Sequence, residues 1–450
     1  MRETFRWNPY ADQPHNVAPR SQRFWRHFRY AGGYLSLVAE NLSILPGGWP
    51  LFRKYRREMY LTSSVFSGPF GICLSPSESR KEAVIECLKE LGIPRSLIRF
   101  PSWERDKLSS YEKFADSLQE NRIELTGALL QRRDDVLDPL RWKDFVEEVF
   151  TRFGKKCAFF EVGHAWNRTK WGVWNHKEYL QLARTAAELA RQYGVKIVGP
   201  AVIDFEFHLY PPVLKEIPFD KVTSLLYVDR VGPPENSQFG WDTAAKVALL
   251  KAAVDVSAIK GKDLWITEFN WPLKDTGKYS PASGTPNVTE EQQADYLVRY
   301  HLLTLASGLV ERVYWWQLVA PGYGLIDSRE DEWRKRPGFF ALKTMVELLD
   351  GSTFVGKIDH PNVRLFRFVR EGQSFVVCWT PGPDLEIDFP FPVKGIVGRD
   401  GQPESSKGKR VLIGGSPKYI FYEADLLKAR SERDAAATIE GANQRDDAKT

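Results

Sequence analysis

Between about Ser64 and Leu349 the chain alternates short apolar runs with amphipathic segments of helical period, and it does so eight times. The apolar runs fall at 65–74, 96–101, 123–131, 157–163, 195–203, 222–228, 263–268 and 312–318. They are short, and turn residues bound them, which is how strands buried on both faces read. The segments between them carry helix signals. Leu182, Ala186, Leu189, Ala190 and Tyr193 share one face of a helix over 177–193. Thr289-Glu290-Glu291-Gln292 is a capping box opening a helix that runs to Gly308. Arg336-Pro337 opens the last helix and Gly351 closes it. Strands separated by helical crossovers pair in parallel, and eight such units in roughly 285 residues match a (β/α)8 barrel. The expected class is therefore α/β, with the TIM barrel spanning 61–350.

The flanks differ in texture. Residues 1–60 form a basic and aromatic arm with ten Arg/Lys against four acids, an excess of +6 beside the whole chain's net +5. The rest is close to neutral, so the basic surface of a nucleic-acid binder is missing. After Gly351, Val363–Val369 and Phe375–Trp379 flank Arg370-Glu371-Gly372-Gln373, a hairpin signal, and short strands continue to Tyr422. This predicts a small antiparallel β domain over 351–425. The tail 426–450 is polar, Ala-rich and lacks aromatics, which predicts disorder. The arm interleaves Arg23, Arg26 and Arg29 with Phe24, Trp25, Phe28 and Tyr30, then adds Arg53–Arg57. Residues 20–57 suit peripheral contact with an anionic inner-membrane surface, or packing along the outside of the barrel. Cys73, Cys87, Cys157 and Cys378 form no metal-type pair, the first thirty residues hold no apolar signal core, and no run reaches the length of a span. A cytoplasmic protein is expected. Seven scattered His and the lack of any phosphate-binding glycine loop imply no metal and no nucleotide cofactor.

In such a barrel, function sits at the C-terminal ends of the strands. Those ends read Arg99, Gln131, Gly163–Asn167, Asp204–His208, Tyr227, Glu268 and Trp315–Gln317. Within Trp265-Ile266-Thr267-Glu268-Phe269-Asn270-Trp271 a carboxylate ends an apolar strand between aromatic rings. An anion in an aromatic cup suits sugar chemistry, because it stabilises an oxocarbenium-like centre while indole faces stack on the ring.

Taken together, Ile98-Arg99-Phe100, Phe160-Glu161-Val162-Gly163, Lys196–Ala201, Leu226-Tyr227, Thr267-Glu268 and Tyr314-Trp315-Trp316 resemble the retaining glycoside hydrolases of clan A. Family 39 and related proteins of bacterial polysaccharide and lipopolysaccharide gene sets look nearest. The resemblance implies that Glu268 is the nucleophile, that Arg99 and Tyr227 position it, and that Trp315 or Trp316 floors the sugar site. It breaks at strand four. The family's Asn-Glu becomes His164-Ala165, and alanine holds no proton. Glu161 shares that inward face but lies roughly 13 Å deeper, at about 3.3 Å per residue. Three readings stay open. Another group supplies the acid, with Asp204, Glu206 or His164 the candidates. Alternatively, the leaving group is an anion such as a phosphate and needs no acid. In the third reading, catalysis is lost and the cup remains as a sugar-binding or scaffold module of polysaccharide assembly. The donors and indoles of His164–Trp171, Asn167 included, suit an anionic sugar. The implied activity is that of an O-glycosyl hydrolase or transglycosidase, and the implied partner an oligo- or polysaccharide, lipid-linked in one version.

Overall fold

The computed structural model describes residues 5–15, 31–229, 231–279, 287–405 and 408–423. Eight parallel strands close into a barrel: β1 (Phe70–Leu74), β2 (Arg95–Pro101), β3 (Glu124–Leu130), β4 (Cys157–Val162), β5 (Ile197–Ile203), β6 (Lys221–Leu225), β7 (Leu264–Ile266) and β8 (Arg312–Trp315). Each strand pairs with its sequence neighbour, and β8 returns to β1 through Tyr314 opposite Gly71. The helices His176–Tyr193, Glu290–Leu305 and Pro337–Leu349 lie where the periodicity puts them, and Thr289 and Gln292 form the expected box.

The strands are shorter than their apolar runs, for local reasons. The first run is cut by Gly68, at φ 59, and by Pro69, which has no N–H to give. Ser64–Val65 instead joins the C-terminal sheet opposite Thr353–Phe354. At the other ends, 226–228, 267–271 and 316–318 leave the ladder to build the mouth. The Trp316 N–H donates to the Phe269 carbonyl at 3.1 Å, and the Asn270 side chain to the Trp316 carbonyl at 2.7 Å.

Alternation along the strands separates two cores. Cys73, Leu97, Ala128, Val198, Leu225, Trp265 and Tyr314 fill the barrel, while Ile72, Ile98, Leu129, Val202, Ile266 and Trp315 face the helices.

The C-terminal region contributes β9 (Thr353–Ile358), β10 (Arg364–Arg370), β11 (Gln373–Trp379), β12 (Leu385–Asp388), β13 (Val393–Gly398), β14 (Pro403–Glu404), β15 (Arg410–Ile413) and β16 (Lys418–Tyr422). β14-β13-β16-β11-β10-β9 form one antiparallel sheet with Ser64–Val65, and β12 pairs with β15. The β10–β11 hairpin turns through Glu371 and Gly372, both at positive φ, the geometry of a two-residue primed turn. Phe354, Phe366, Phe368, Phe375 and Trp379 belong to the same core as the barrel's helix layer.

The helix Ala31–Glu58 packs along the barrel against Tyr210–Leu214 and Thr243–Ser257, with Asn41 donating to the His208 carbonyl at 2.8 Å. Residues 5–15 do not follow it. They form a small hairpin, Trp7–Asn8 against Gln13–Pro14, over the barrel mouth. Residues 20–30 of the basic arm and the tail 426–450 lie outside the described residues.

The loop after β8 hangs on one fully buried cation. Arg336 donates to the carbonyls of Ala320, Pro321 and Gly324 at 2.6–2.9 Å and pairs with Asp327 and Glu290 at 3.0–3.1 Å. Asp327 and Glu290 keep Arg334, and Asp327 also Arg329, so Arg336→Ala mainly strips a buried donor from the loop carbonyls and should cost about 1–3 kcal/mol in denaturant unfolding.

Candidate active site

Glu268 stands just past the end of β7, where the strand's alternation fails. Thr267 and Glu268 are consecutive, yet both face the barrel axis. The Thr267 hydroxyl donates downward to Glu161 at 2.6 Å, while the Glu268 carboxylate sits at the mouth. Both its oxygens are engaged: Oε2 accepts from Arg99 Nη2 at 2.7 Å and Oε1 from the Tyr227 hydroxyl at 2.6 Å. Arg99 and Tyr227 both keep the inward phase of their strands, which is why they converge. The Arg99 guanidinium carbon lies over the Trp316 ring, 3.4 Å from its centre.

His164 is the next neighbour. Gln131 at the end of β3 clamps its backbone, accepting its N–H at 3.0 Å and donating to its carbonyl at 3.1 Å. The ring meets Trp171 edge-on and puts Nε2 3.0 Å from Arg99 Nη2 and 3.7 Å from Glu268. Burial, then the adjacent Arg99 charge, hold its pKa well below the usual histidine range. A neutral imidazole there accepts a hydrogen bond from Arg99 at Nε2 and lacks the imidazolium proton that a general acid would give. Ala165 follows at φ 40, fully buried, lining the same cavity.

The cavity has a volume of about 200 Å³, and Arg99, His164, Ala165, Tyr227, Glu268 and Trp316 line much of it. The remaining expected residues divide between the cavity and its surroundings. Trp315 turns into the helix-layer core against Phe269, so Trp316 is the mouth tryptophan. Asn167 bridges to Ile203, donating at 2.9 Å and accepting at 3.0 Å, and braces β5 outside the cavity. Asp204 lines the cavity at φ 64, with Arg168 Nη2 on its Oδ2 at 2.6 Å. Glu206 is held by the same Arg168 and faces a neighbouring hollow with His176 and His208. Glu161 does not line the cavity. It is sealed inside the barrel, and burial, reinforced by Glu268 and opposed by bonds from Thr267 and Thr223, pushes its pKa up to about 7.

The N-terminal hairpin brings in residues that periodicity could not flag. Arg99 Nη1 donates to both the carbonyl and the carboxylate of Asp12 at 3.2 Å, and Gln317 Nε2 reaches the same carboxylate at 3.2 Å. Gln13 accepts from Lys170, and Trp7 packs on Trp103 and Trp171 at 5.3 and 6.1 Å. The local signal was a turn, Asn8-Pro9-Tyr10-Ala11-Asp12, in which Asn8 Oδ1 accepts from the N–H groups of Tyr10 and Ala11. Nothing in it points to a barrel mouth. Among the described residues no group of three His, Cys, Asp or Glu is placed to hold a metal.

With this geometry in view, comparison with known proteins adds the fold. No protein-family model matches the chain, and no curated protein matches it. Among solved structures it is similar to a family 39 glycoside hydrolase from Bacteroides cellulosilyticus WH2, at TM-score 0.63 and 13% identity over 79% of this chain and 81% of that one. It is also similar to a family 30 endoxylanase from Clostridium papyrosolvens C71, at 0.55 and 12% over 81% and 99%. A family 51 arabinofuranosidase from Xanthomonas axonopodis pv. citri follows at 0.50 and 13%, over 76% and 89%. The chain has a glycoside-hydrolase-like barrel, and what it does with that barrel rests on its own residues.

Glu161 yields a prediction on stability. Its folded pKa of about 7 exceeds the ordinary value of 4.5, so the native state holds a proton that the unfolded chain releases between these pH values. The stabilisation from this group is full below about pH 4.5 and is lost as pH rises through about 7, a loss of roughly 3 kcal/mol. Glu161→Gln keeps an acceptor for Thr267 and has no charge to bury. Urea midpoints of the variant should flatten between pH 4.5 and 7 relative to wild type; parallel profiles would count against it.

Proposed function

We propose that the protein is a retaining-type glycosidase or transglycosidase that acts on a carbohydrate through Glu268. The observation that carries this reading is the carboxylate at the mouth of the barrel with Arg99 on one oxygen and Tyr227 on the other. Two donors fix its direction, which is what attack on an anomeric carbon, or stabilisation of an oxocarbenium-like centre, requires. Trp316, Tyr227 and His164 are the groups that meet the sugar, and Lys170 at the rim favours an anionic or phosphorylated one.

In this reading the glycan belongs to envelope polysaccharide or lipopolysaccharide, and the protein works on it at a cytoplasmic membrane surface. An exposed apolar row supports the location. Leu35, Val38, Leu42, Leu45 and Trp49 repeat at heptad spacing along the outer face of Ala31–Glu58, and exposed Arg53, Lys54 and Arg57 follow. Trp49 leads through Phe52 to Trp241, and Phe239, on the turn next to Trp241, is almost fully exposed. Apolar and aromatic side chains beside basic ones suit the interface of anionic lipid, at about 1 kcal/mol per basic residue. Among the described residues no helix is long and apolar enough to cross a membrane.

Two measurements test the proposal. Glu268→Gln keeps the side chain's shape and removes its charge. Turnover of 2,4-dinitrophenyl glycosides should fall by roughly 10⁴–10⁶-fold, while sugar binding read by tryptophan fluorescence persists. Unchanged turnover would remove Glu268 from the chemistry. For the membrane surface, the protein should co-sediment with phosphatidylglycerol vesicles at low salt and not with phosphatidylcholine ones. Leu42→Glu with Leu45→Glu should abolish this, and a wild-type protein that stays in the supernatant refutes the location.

A further inference from the structure

A retaining site needs a second carboxyl, and the strand-four position that would hold it is Ala165. We propose that Asp12, carried into the mouth by the N-terminal hairpin, is the proton-donating partner of Glu268. The inference rests on Glu268 acting as the nucleophile.

The placement argues for it. Asp12 and Glu268 share one guanidinium: Nη1 of Arg99 holds Asp12 Oδ2 at 3.2 Å and Nη2 holds Glu268 Oε2 at 2.7 Å. Two carboxyls bound to the two terminal nitrogens of one arginine are close neighbours, and closeness of about 5–5.5 Å is what a retaining pair requires. Both line the cavity, as does Ala165. Gln317 donates to Asp12 Oδ2 and is itself held by the Ser75 hydroxyl at 2.8 Å, so the carboxyl is fixed from β1, β2 and β8 together. The backbone of Asp12 lies at φ 49, a left-handed conformation that Asp tolerates better than most residues.

Electrostatics agree. Arg99, Glu268, Glu104, Tyr111 and Tyr323 are the charged and titratable groups facing Asp12, and His164 faces it across Arg99. Burial raises the Asp12 pKa first, Glu268 and Glu104 add to that, and Arg99 and Gln317 oppose it, leaving it above the usual aspartate value. One cation serves two carboxyls, so a proton on one of them relieves the repulsion. The other candidates are less suited: Asp204 is bound by Arg168 and not by the arginine that holds Glu268, Glu206 faces the neighbouring hollow, and His164 lacks the imidazolium proton.

In the step this implies, Glu268 forms a bond to the anomeric carbon as the glycosidic C–O bond breaks, and the Asp12 proton goes to the departing oxygen. Asp12, now a carboxylate, then takes a proton from water as that water's oxygen displaces Glu268. The sugar leaves with the hydroxyl, and both carboxyls return to their starting states.

The test is a leaving-group series run on the full chain. With Asp12→Asn, alkyl glycosides should lose roughly 10²–10⁴-fold in kcat/KM, while dinitrophenyl glycosides lose least. The fall of wild-type kcat/KM at high pH should disappear in the variant. With Asp12→Ala, added azide should form glycosyl azide, because azide displaces Glu268 without a base. Thermal unfolding of both variants checks that they fold. An Asp12→Asn variant with wild-type leaving-group dependence and pH profile, or one that loses all substrates equally, overturns the role of Asp12 while leaving Glu268 in place. Activity that survives Glu268→Gln overturns the underlying reading instead. Wild-type protein inert toward every member of the series overturns both.

Discussion

The mouth of this barrel is organised around one buried guanidinium. Arg99 reaches Glu268 with one terminal nitrogen and Asp12 with the other, meets the His164 ring, and lies against the face of Trp316. Removing an arginine and two carboxyls from water is costly unless each finds partners, and here they find one another. The balance of charge is incomplete: two carboxyls answer one cation, and burial together with that cation holds the His164 pKa well below the usual histidine range. A site built this way has a proton as its natural fourth member, which is a chemical property as much as a structural one.

The barrel makes that convergence possible. Residues from β2, β3, β4, β6, β7 and β8 meet at its C-terminal end because every strand runs in the same direction and closes on its neighbours. Gln131 does not touch the cavity, yet it fixes the His164 backbone from both sides. Arg336 does similar work for the loop beyond β8, holding three carbonyls while paired with two acids. The chemistry-bearing groups are few, and most of the polar investment goes into holding them still.

In the proposed reading Ala165 takes the place of a carboxyl, and a hairpin formed by residues 5–15 brings Asp12 into the mouth. The hairpin is tied to loops after β2 and β4 through Trp103, Trp171 and Lys170, and to the loop after β8 through Gln317. It therefore depends on the folded barrel, since its own two-residue strands could not hold their shape alone.

Much of the architecture was legible in the chain. Eight apolar runs at helical separation dictate a parallel closed sheet, because each crossover returns the strand in the same direction. The Thr289 box, the Pro337 helix start and the Glu371-Gly372 turn are local chemistry, and they act where they stand. Arg99, Tyr227 and Glu268 could be named because they fall at the C-terminal ends of apolar runs, and for Arg99 and Tyr227 the pleat also sets the inward phase. What folding alone decided lies where that phase runs out. Trp315 and Trp316 differ only in which face of β8 they take, and only closure of the barrel assigns one to the core and one to the mouth. Thr267 and Glu268 both turn inward because the backbone leaves the ladder after Ile266. Asp204 and Glu206 share Arg168, a pairing that spans two strands. Asp12 is the extreme case. It sits 87 residues from Arg99 in sequence, on a segment with no periodicity, and its place beside Glu268 exists only once the tertiary structure has brought the two ends of that interval together.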